Sequence, residues 1–155
     1  TEERKQIVDL SDVYCTSSVG CVTKADSDIN SFEDLQNQIV CCSQGTNYEM
    51  MIEDIPGTTL KTYQGQAAVG TAVAEATDGV AAGLTSINGA KKLATTMLDA
   101  DGNPMLKYFA LEGARADEYC MAFPKGSELT AIFNEGIQAL KDSGKLEELI
   151  QYWLY

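Results

Sequence analysis

Apolar and polar positions follow two periods along this chain, and the switches between them mark out its elements. The run Ile39-Val40-Cys41-Cys42 is apolar throughout and is followed by Ser43-Gln44-Gly45, which predicts a buried strand closed by a tight loop. From Thr46 or Asn47 the spacing turns helical, with Tyr48, Met51 and Ile52 at i, i+3 and i+4, and either of the first two residues suits an N-cap. A strand, a glycine loop and a helix start together gather backbone N–H groups and the positive end of a helix dipole at one point. That arrangement holds a carboxylate or phosphate without a cationic side chain, and it is also an ordinary βα turn.

The flanking segments continue the alternation. Residues 19–23 read as a strand, 24–30 as a polar loop, and Ser31-x-x-Asp34 as a capping box opening a short helix that carries Phe32 and Leu35. Pro56-Gly57 stops the helix after the glycine loop, and the β-branched and aromatic stretch 58–63 is the next strand. Val69, Ala72, Val73 and Ala76 place a narrow packing face on a helix over 66–77. A strand over 78–82, a helix over 86–97 and strands over 105–111 and 118–123 follow. Asp99-Ala100-Asp101-Gly102-Asn103 begins like a calcium loop, but the twelfth position is Ala110 rather than glutamate, so a surface turn is expected. Ser127 caps a helix with Leu129, Ile132, Phe133, Ile137 and Leu140 on one stripe, ended by Ser143-Gly144. A last helix from Lys145 carries Leu146, Leu149, Ile150 and Trp153. Alternating strands and helices argue an α/β fold with a mostly parallel sheet flanked by helices.

Composition narrows the chemistry. With 155 residues the chain makes one domain or two small lobes, and its 45% hydrophobic and 22% charged content is that of a globular protein. A net charge of −12 argues against nucleic acid and anionic membrane as partners. No histidine is present, which removes the commonest general base, zinc ligand and nucleophile partner, so no enzyme, metal or cofactor is expected. Five cysteines leave at least one unpaired, and none forms a Cys-x-x-Cys pair; Cys21, Cys41 and Cys42 sit in strand-like runs and read as buried thiols. No stretch approaches the roughly 18 apolar residues of a membrane span. The opening Thr-Glu-Glu-Arg-Lys is no signal peptide, and reads as a mature, trimmed or partial chain.

Four ordered stretches match one pattern. Thr1-Glu2-Glu3-Arg4-Lys5-x-x-Val8-Asp9-Leu10-Ser11-Asp12-x-Tyr14, Gln44-Gly45-Thr46, Tyr119-Cys120-Met121-Ala122-Phe123-Pro124-Lys125-Gly126-Ser127-x-Leu129 and Ser143-Gly144-Lys145-Leu146-x-x-Leu149-Ile150-x-x-Trp153 resemble the motifs of bacterial extracellular solute-binding proteins of the amino-acid transporter type. The resemblance implies a periplasmic-binding-protein type II fold with two lobes closing on a ligand, the first lobe largely absent here. Residues 1–18 would be the end of lobe one and the first hinge strand, 19–115 lobe two, and 116–155 the second hinge strand and the returning helices. The implied function is the extracytoplasmic substrate-binding component of an ABC importer for amino acids or similar small polar solutes, periplasmic or lipid-anchored at the cell surface. A membrane permease is its implied partner, and homo-oligomers through the uncovered C-terminal helices are a further possibility. The same fold also serves as the sensor domain of membrane receptors and kinases, and in cyclohexadienyl dehydratases.

Site residues carry over one by one. Arg4 lies where the family grips the ligand's α-carboxylate, and a guanidinium suits that task through two parallel hydrogen bonds. Gly45, Thr46 and Asn47 fall where lobe two holds the same carboxylate, and Ser43 where a side chain often meets the ligand's tail. Gly83 stands where many members carry an aspartate for the α-ammonium; Thr85 offers a neutral oxygen nearby. Cys15 and Cys120 fall at or beside the hinge strands, where a disulfide is one expectation of the resemblance.

Overall fold

A computed structural model describes residues 2–154; Thr1 and Tyr155, which close the two terminal segments, lie outside them. The chain divides into two units, one joining the residues up to Thr16 with those from Asp117 onward, the other being the continuous stretch Ser17–Ala116.

The continuous unit is a five-stranded sheet of β3 (Val19–Lys24), β4 (Ile39–Ser43), β5 (Thr59–Tyr63), β6 (Ala82–Ser86) and β7 (Leu106–Ala110), in the order β5-β4-β6-β3-β7. Strand β4 runs parallel to both of its neighbours, with Cys41 opposite Gly83 on β6. Strand β3 runs antiparallel to both of its own, so the sheet is mixed rather than mostly parallel. The reason lies in the connections: α2, α3 and α4 carry the chain from β4 to β5, from β5 to β6 and from β6 to β7 and set these four strands parallel, whereas β3, the one opposed strand, leads to β4 through residues 25–38 without such a crossover helix.

Helices cover both faces. On one side Val40, Cys42, Ala82 and Leu84 pack with Tyr48 and Ile52 of α2 (Tyr48–Glu53), Ile55 and Leu35. On the other, Cys41 and Val22 pack with Val69 and Val73 of α3 (Gly65–Ala74) and with Ala90 and Leu93 of α4 (Ile87–Thr96). The two-residue alternation of a pleated strand thus sends neighbouring residues of one apolar run into two different cores. Gly20 permits the close approach of α4: a Cβ there would come within 2.7 Å of Ala90 Cβ.

Several expected boundaries move. The strand expected over 78–82 is β6, four residues later, because Ala76, Asp78 and Gly79 all take positive φ and make a turn. The same turn ends α3 at Ala74, leaving Ala76 exposed outside the helix. The Ser31 segment is one 3-10 turn, Glu33–Leu35, although its capping box forms: Ser31 Oγ accepts the Asp34 N–H at 3.3 Å and Asp34 Oδ2 accepts the Ser31 N–H at 3.0 Å. The Asp99 segment is the expected turn, with the Asp99 carboxylate accepting the N–H groups of Asp101 and Asn103 at 2.9 and 2.8 Å.

The second unit is held mostly by polar links. It contains α1 (Glu2–Ile7), β1 (Val8–Leu10), β8 (Asp117–Tyr119), β9 (Ala122–Pro124), α5 (Leu129–Asp142) and α6 (Lys145–Leu154), and β8 pairs with β2 (Cys15–Ser17). The single strand expected over 118–123 is therefore two short ones. Strand β1 pairs antiparallel with β9. Asn134 Oδ1 accepts the Asp12 N–H at 2.8 Å, and Lys141 Nζ donates to the Val13 carbonyl at 2.9 Å. Phe133 tilts against Phe123 with centroids 5.0 Å apart, and Ile137 is buried. The cap of α5 is Glu128, one residue past Ser127, whose Oγ still accepts the Leu129 N–H at 3.3 Å. Leu129, Ile132, Leu140, Leu149 and Trp153 remain exposed.

Candidate functional site

Three chain segments converge where the parallel strands β4, β5 and β6 end, the edge at which open α/β sheets bind ligands. After β4 comes Ser43 to Asn47, after β5 Gln64 to Gln66, and at the end of β6 Thr85 and Ser86. Gln64 Nε2 donates to Gln44 Oε1, tying the first two segments together. A Cβ added at Gly89 would strike the Gln66 amide and lie 2.8 Å from Thr85 Oγ1, so the second and third segments share one small space.

The β4 loop is ordered by its own hydrogen bonds. Thr46 Oγ1 donates to the Ser43 carbonyl at 2.7 Å, and the Gly45 N–H donates to Glu49 Oε1 at 2.5 Å. Gly45 takes φ 77°, a conformation that glycine adopts without the Cβ penalty. Helix α2 starts at Tyr48 with Asn47 in the N-cap position, one of the two expected, although the Asn47 side chain makes no capping hydrogen bond. Six residues make a weak dipole, so any anion held here is held by individual N–H groups more than by the helix. At this edge Gln66 Nε2 is buried without a hydrogen-bond partner among the described residues. An unmet buried amide N–H is costly, so this group is a candidate donor to a bound acceptor.

The sequence-predicted residues do not all meet. Ser43, Gly45, Thr46, Asn47 and Thr85 lie at this edge, in the continuous unit. Gly83 lies in the interior of β6, where an added Cβ would stand 2.8 Å from Val69 Cγ1 and 3.1 Å from Val22 Cγ2 and Val73 Cγ2. Its side-chain direction is filled by α3, which leaves no room there for an aspartate. Arg4 belongs to the other unit, exposed on the short α1. Gln44, Gln64 and Gln66 were not among the candidates; the polar run Gln64-Gly65-Gln66 directly after a strand was the available signal.

The thiols stay away from this chemistry. All five cysteines are free, so the alternative of a Cys15–Cys120 disulfide is not formed. Burial pushes the Cys41 thiol up to about 12 and the Cys42 thiol up to about 11, and raises that of Cys21 further still. Such groups pack as small hydrophobes. Among the described residues no acidic or cysteine cluster is set to hold a metal ion, and no helix is long and apolar enough to cross a membrane. Grooves of about 350 and 520 Å³ lie elsewhere, the first against Tyr14 and Cys15, the second beside Phe32 and Phe109.

A mixed sheet with helices on both faces, crossed by paired strands into a second unit and carrying amide-rich loops at its strand ends, defines the lobe of a two-lobed solute-binding protein. The chain belongs to the bacterial extracellular solute-binding proteins, family 3, whose profile matches residues 1–155. It is 32% identical over 161 residues to the arginine-binding extracellular protein ArtP of Bacillus subtilis, covering 99% of this chain and 59% of that protein. It also resembles the arginine-, lysine-, histidine-binding protein ArtJ of Geobacillus stearothermophilus (TM-score 0.81, 25% identity, 99% of this chain and 65% of that one). A third similar structure is the amino-acid ABC transporter substrate-binding protein AbpA of Streptococcus pneumoniae bound to L-arginine (TM-score 0.78, 27% identity, 97% and 62%). The chain thus spans about three fifths of the length of these relatives, which are binding proteins, and family membership sets it on the extracytoplasmic side.

Proposed function

We propose that this chain is the ligand-gripping part of an extracytoplasmic substrate-binding component of an ABC importer for amino acids, with a cationic amino acid such as arginine as the first candidate. The convergence of three polar segments at the carboxyl edge of β4, β5 and β6 carries the reading, and the arginine-binding relatives support the ligand class. In this reading Thr46 and Asn47 take the ligand carboxylate with their N–H groups, Gly45, whose own N–H is held by Glu49, gives the loop its turn, and Ser43 and Thr85 offer hydroxyls to the rest of the molecule; Arg4, in the other unit, is the candidate for a bidentate carboxylate grip. A charge of −12 favours approach of a cationic solute. Closure of a second lobe over this edge, hinged at β2 and β8, would bury the ligand and present the closed form to a permease, whether the protein is periplasmic or lipid-anchored.

The test is thermal unfolding and calorimetry with arginine, lysine, histidine, glutamine and glutamate, on the 155-residue chain and on a form extended to the relatives' length. A ligand-dependent rise in midpoint, largest for arginine in the longer form, is expected. No rise with any amino acid in either form would sink the proposal.

A further inference from the structure

Helix α1 holds Arg4, and its own length does little to stabilise it. It is six residues long, far below the length at which an isolated helix is stable. The side chains from Glu3 to Ile7 are all exposed, Ile7 to 74%, so burial does not hold it either. The last four carbonyls of a helix have no N–H within it to accept from.

A partner arrives from more than a hundred residues away. Strand β1 follows α1 directly and pairs with β9, Asp9 opposite Phe123 and Val8 opposite Pro124. Proline brings no N–H, so the ladder is thin at this end. Immediately beyond it, Lys125 Nζ lies 2.8 Å from Asp9 Oδ1 and donates at 2.9 Å to the Lys5 carbonyl. The Gly126 N–H donates to Asp9 Oδ2 at 2.7 Å. One ammonium therefore joins the strand residue after the helix to the carbonyl beside Arg4, and it stands at a helix C-terminus, where a cation is favoured. Asp9 in turn fixes the ammonium and the turn that carries it.

We propose that Asp9 and Lys125 are positioning residues for ligand binding: they clamp the Arg4–Lys5 turn so that the guanidinium is presented in one direction. This rests on the reading of Arg4 as a carboxylate grip. Bidentate recognition needs both N–H groups aligned at once, so a loosened turn loses affinity even with Arg4 intact.

Amide exchange of the ligand-free protein and arginine calorimetry test the clamp in Lys125→Met, Asp9→Asn, Arg4→Ala and the Lys125→Met/Arg4→Ala double variant. Lys125→Met is expected to speed exchange over residues 3–7 by about tenfold, leaving β3 to β7 unchanged. Arginine affinity should fall about three- to tenfold, the effect of one hydrogen bond. In the Arg4→Ala background Lys125→Met should cost nothing more, because the clamp acts through Arg4. Unchanged exchange over 3–7 overturns the clamp whatever the ligand does. Additive affinity losses overturn its positioning role. Faster exchange with affinity indifferent to Arg4→Ala upholds the tether and overturns the reading of Arg4 instead.

Discussion

Glu49 places a carboxylate oxygen 2.5 Å from the Gly45 nitrogen, so the glycine loop donates an N–H to an anion supplied by its own chain. The contact ties the glycine loop to the first turn of α2, whose N-cap Asn47 makes no side-chain cap. Glu49→Ala should therefore lower stability by about 1 kcal/mol, the value of a lost N-terminal cap. Chemical denaturation of the two proteins side by side measures it; equal midpoints would mean that water replaces the carboxylate at no cost.

Gly83 and Thr85 separate packing from recognition. Gly83→Asp pushes a carboxylate against Val69 and Val73 and should destabilise the fold by about 3 kcal/mol or more, with no gain for ammonium-bearing ligands. Thr85→Asp puts the charge at the strand end, where arginine binding should strengthen by about 1–2 kcal/mol. Calorimetry on both variants decides between them, and tighter binding by Gly83→Asp would contradict the packing described for β6.

Thiol reactivity should follow burial. In the native protein at pH 8 Cys120, the one partly exposed thiol of the five, reacts first with a disulfide reagent, while Cys21, Cys41 and Cys42 stay silent until the protein unfolds. Five thiols should be counted after denaturation with or without reductant. Three without reductant would establish the disulfide that the structure lacks.

Acid stability is set by carboxylates that accept hydrogen bonds. Asp9 is lowered by Lys125 and the Gly126 N–H, Asp34 by the backbone of Asn30 and by Ser31, and Asp99 by the backbone and side chain of Asn103. A carboxylate lowered in the fold binds its proton later than in the unfolded chain. Its contribution is whole above the unfolded value of about 4 and is lost as pH falls through the folded one. The melting midpoint should hold down to about pH 5 and then drop, more shallowly in an Asp34→Asn/Asp99→Asn variant. A parallel fall in both proteins would assign the acid sensitivity elsewhere.

How much was legible in the residues divides along a physical line. Local pattern sufficed for β4, α4 and the capping box at Ser31, because one apolar run, one N-cap and one reciprocal pair of hydrogen bonds each act within a few residues. The ordered motifs carried the family, since Arg4, Gln44-Gly45-Thr46 and the return through Pro124-Lys125-Gly126 need only be read in sequence. What depends on pairing was not legible. Direction in the sheet is decided by which strand lies beside β3, and the turn at Ala76 to Gly79 sets where β6 begins and so leaves Gly83 inside the strand against α3. Convergence of Gln44, Gln64 and Gln66 on one edge, and the reach of Lys125 back to Asp9 and the Lys5 carbonyl, exist only once the chain has folded. Contacts over such separations carry no signature in local spacing, because the backbone between them and not the side chains sets the distance.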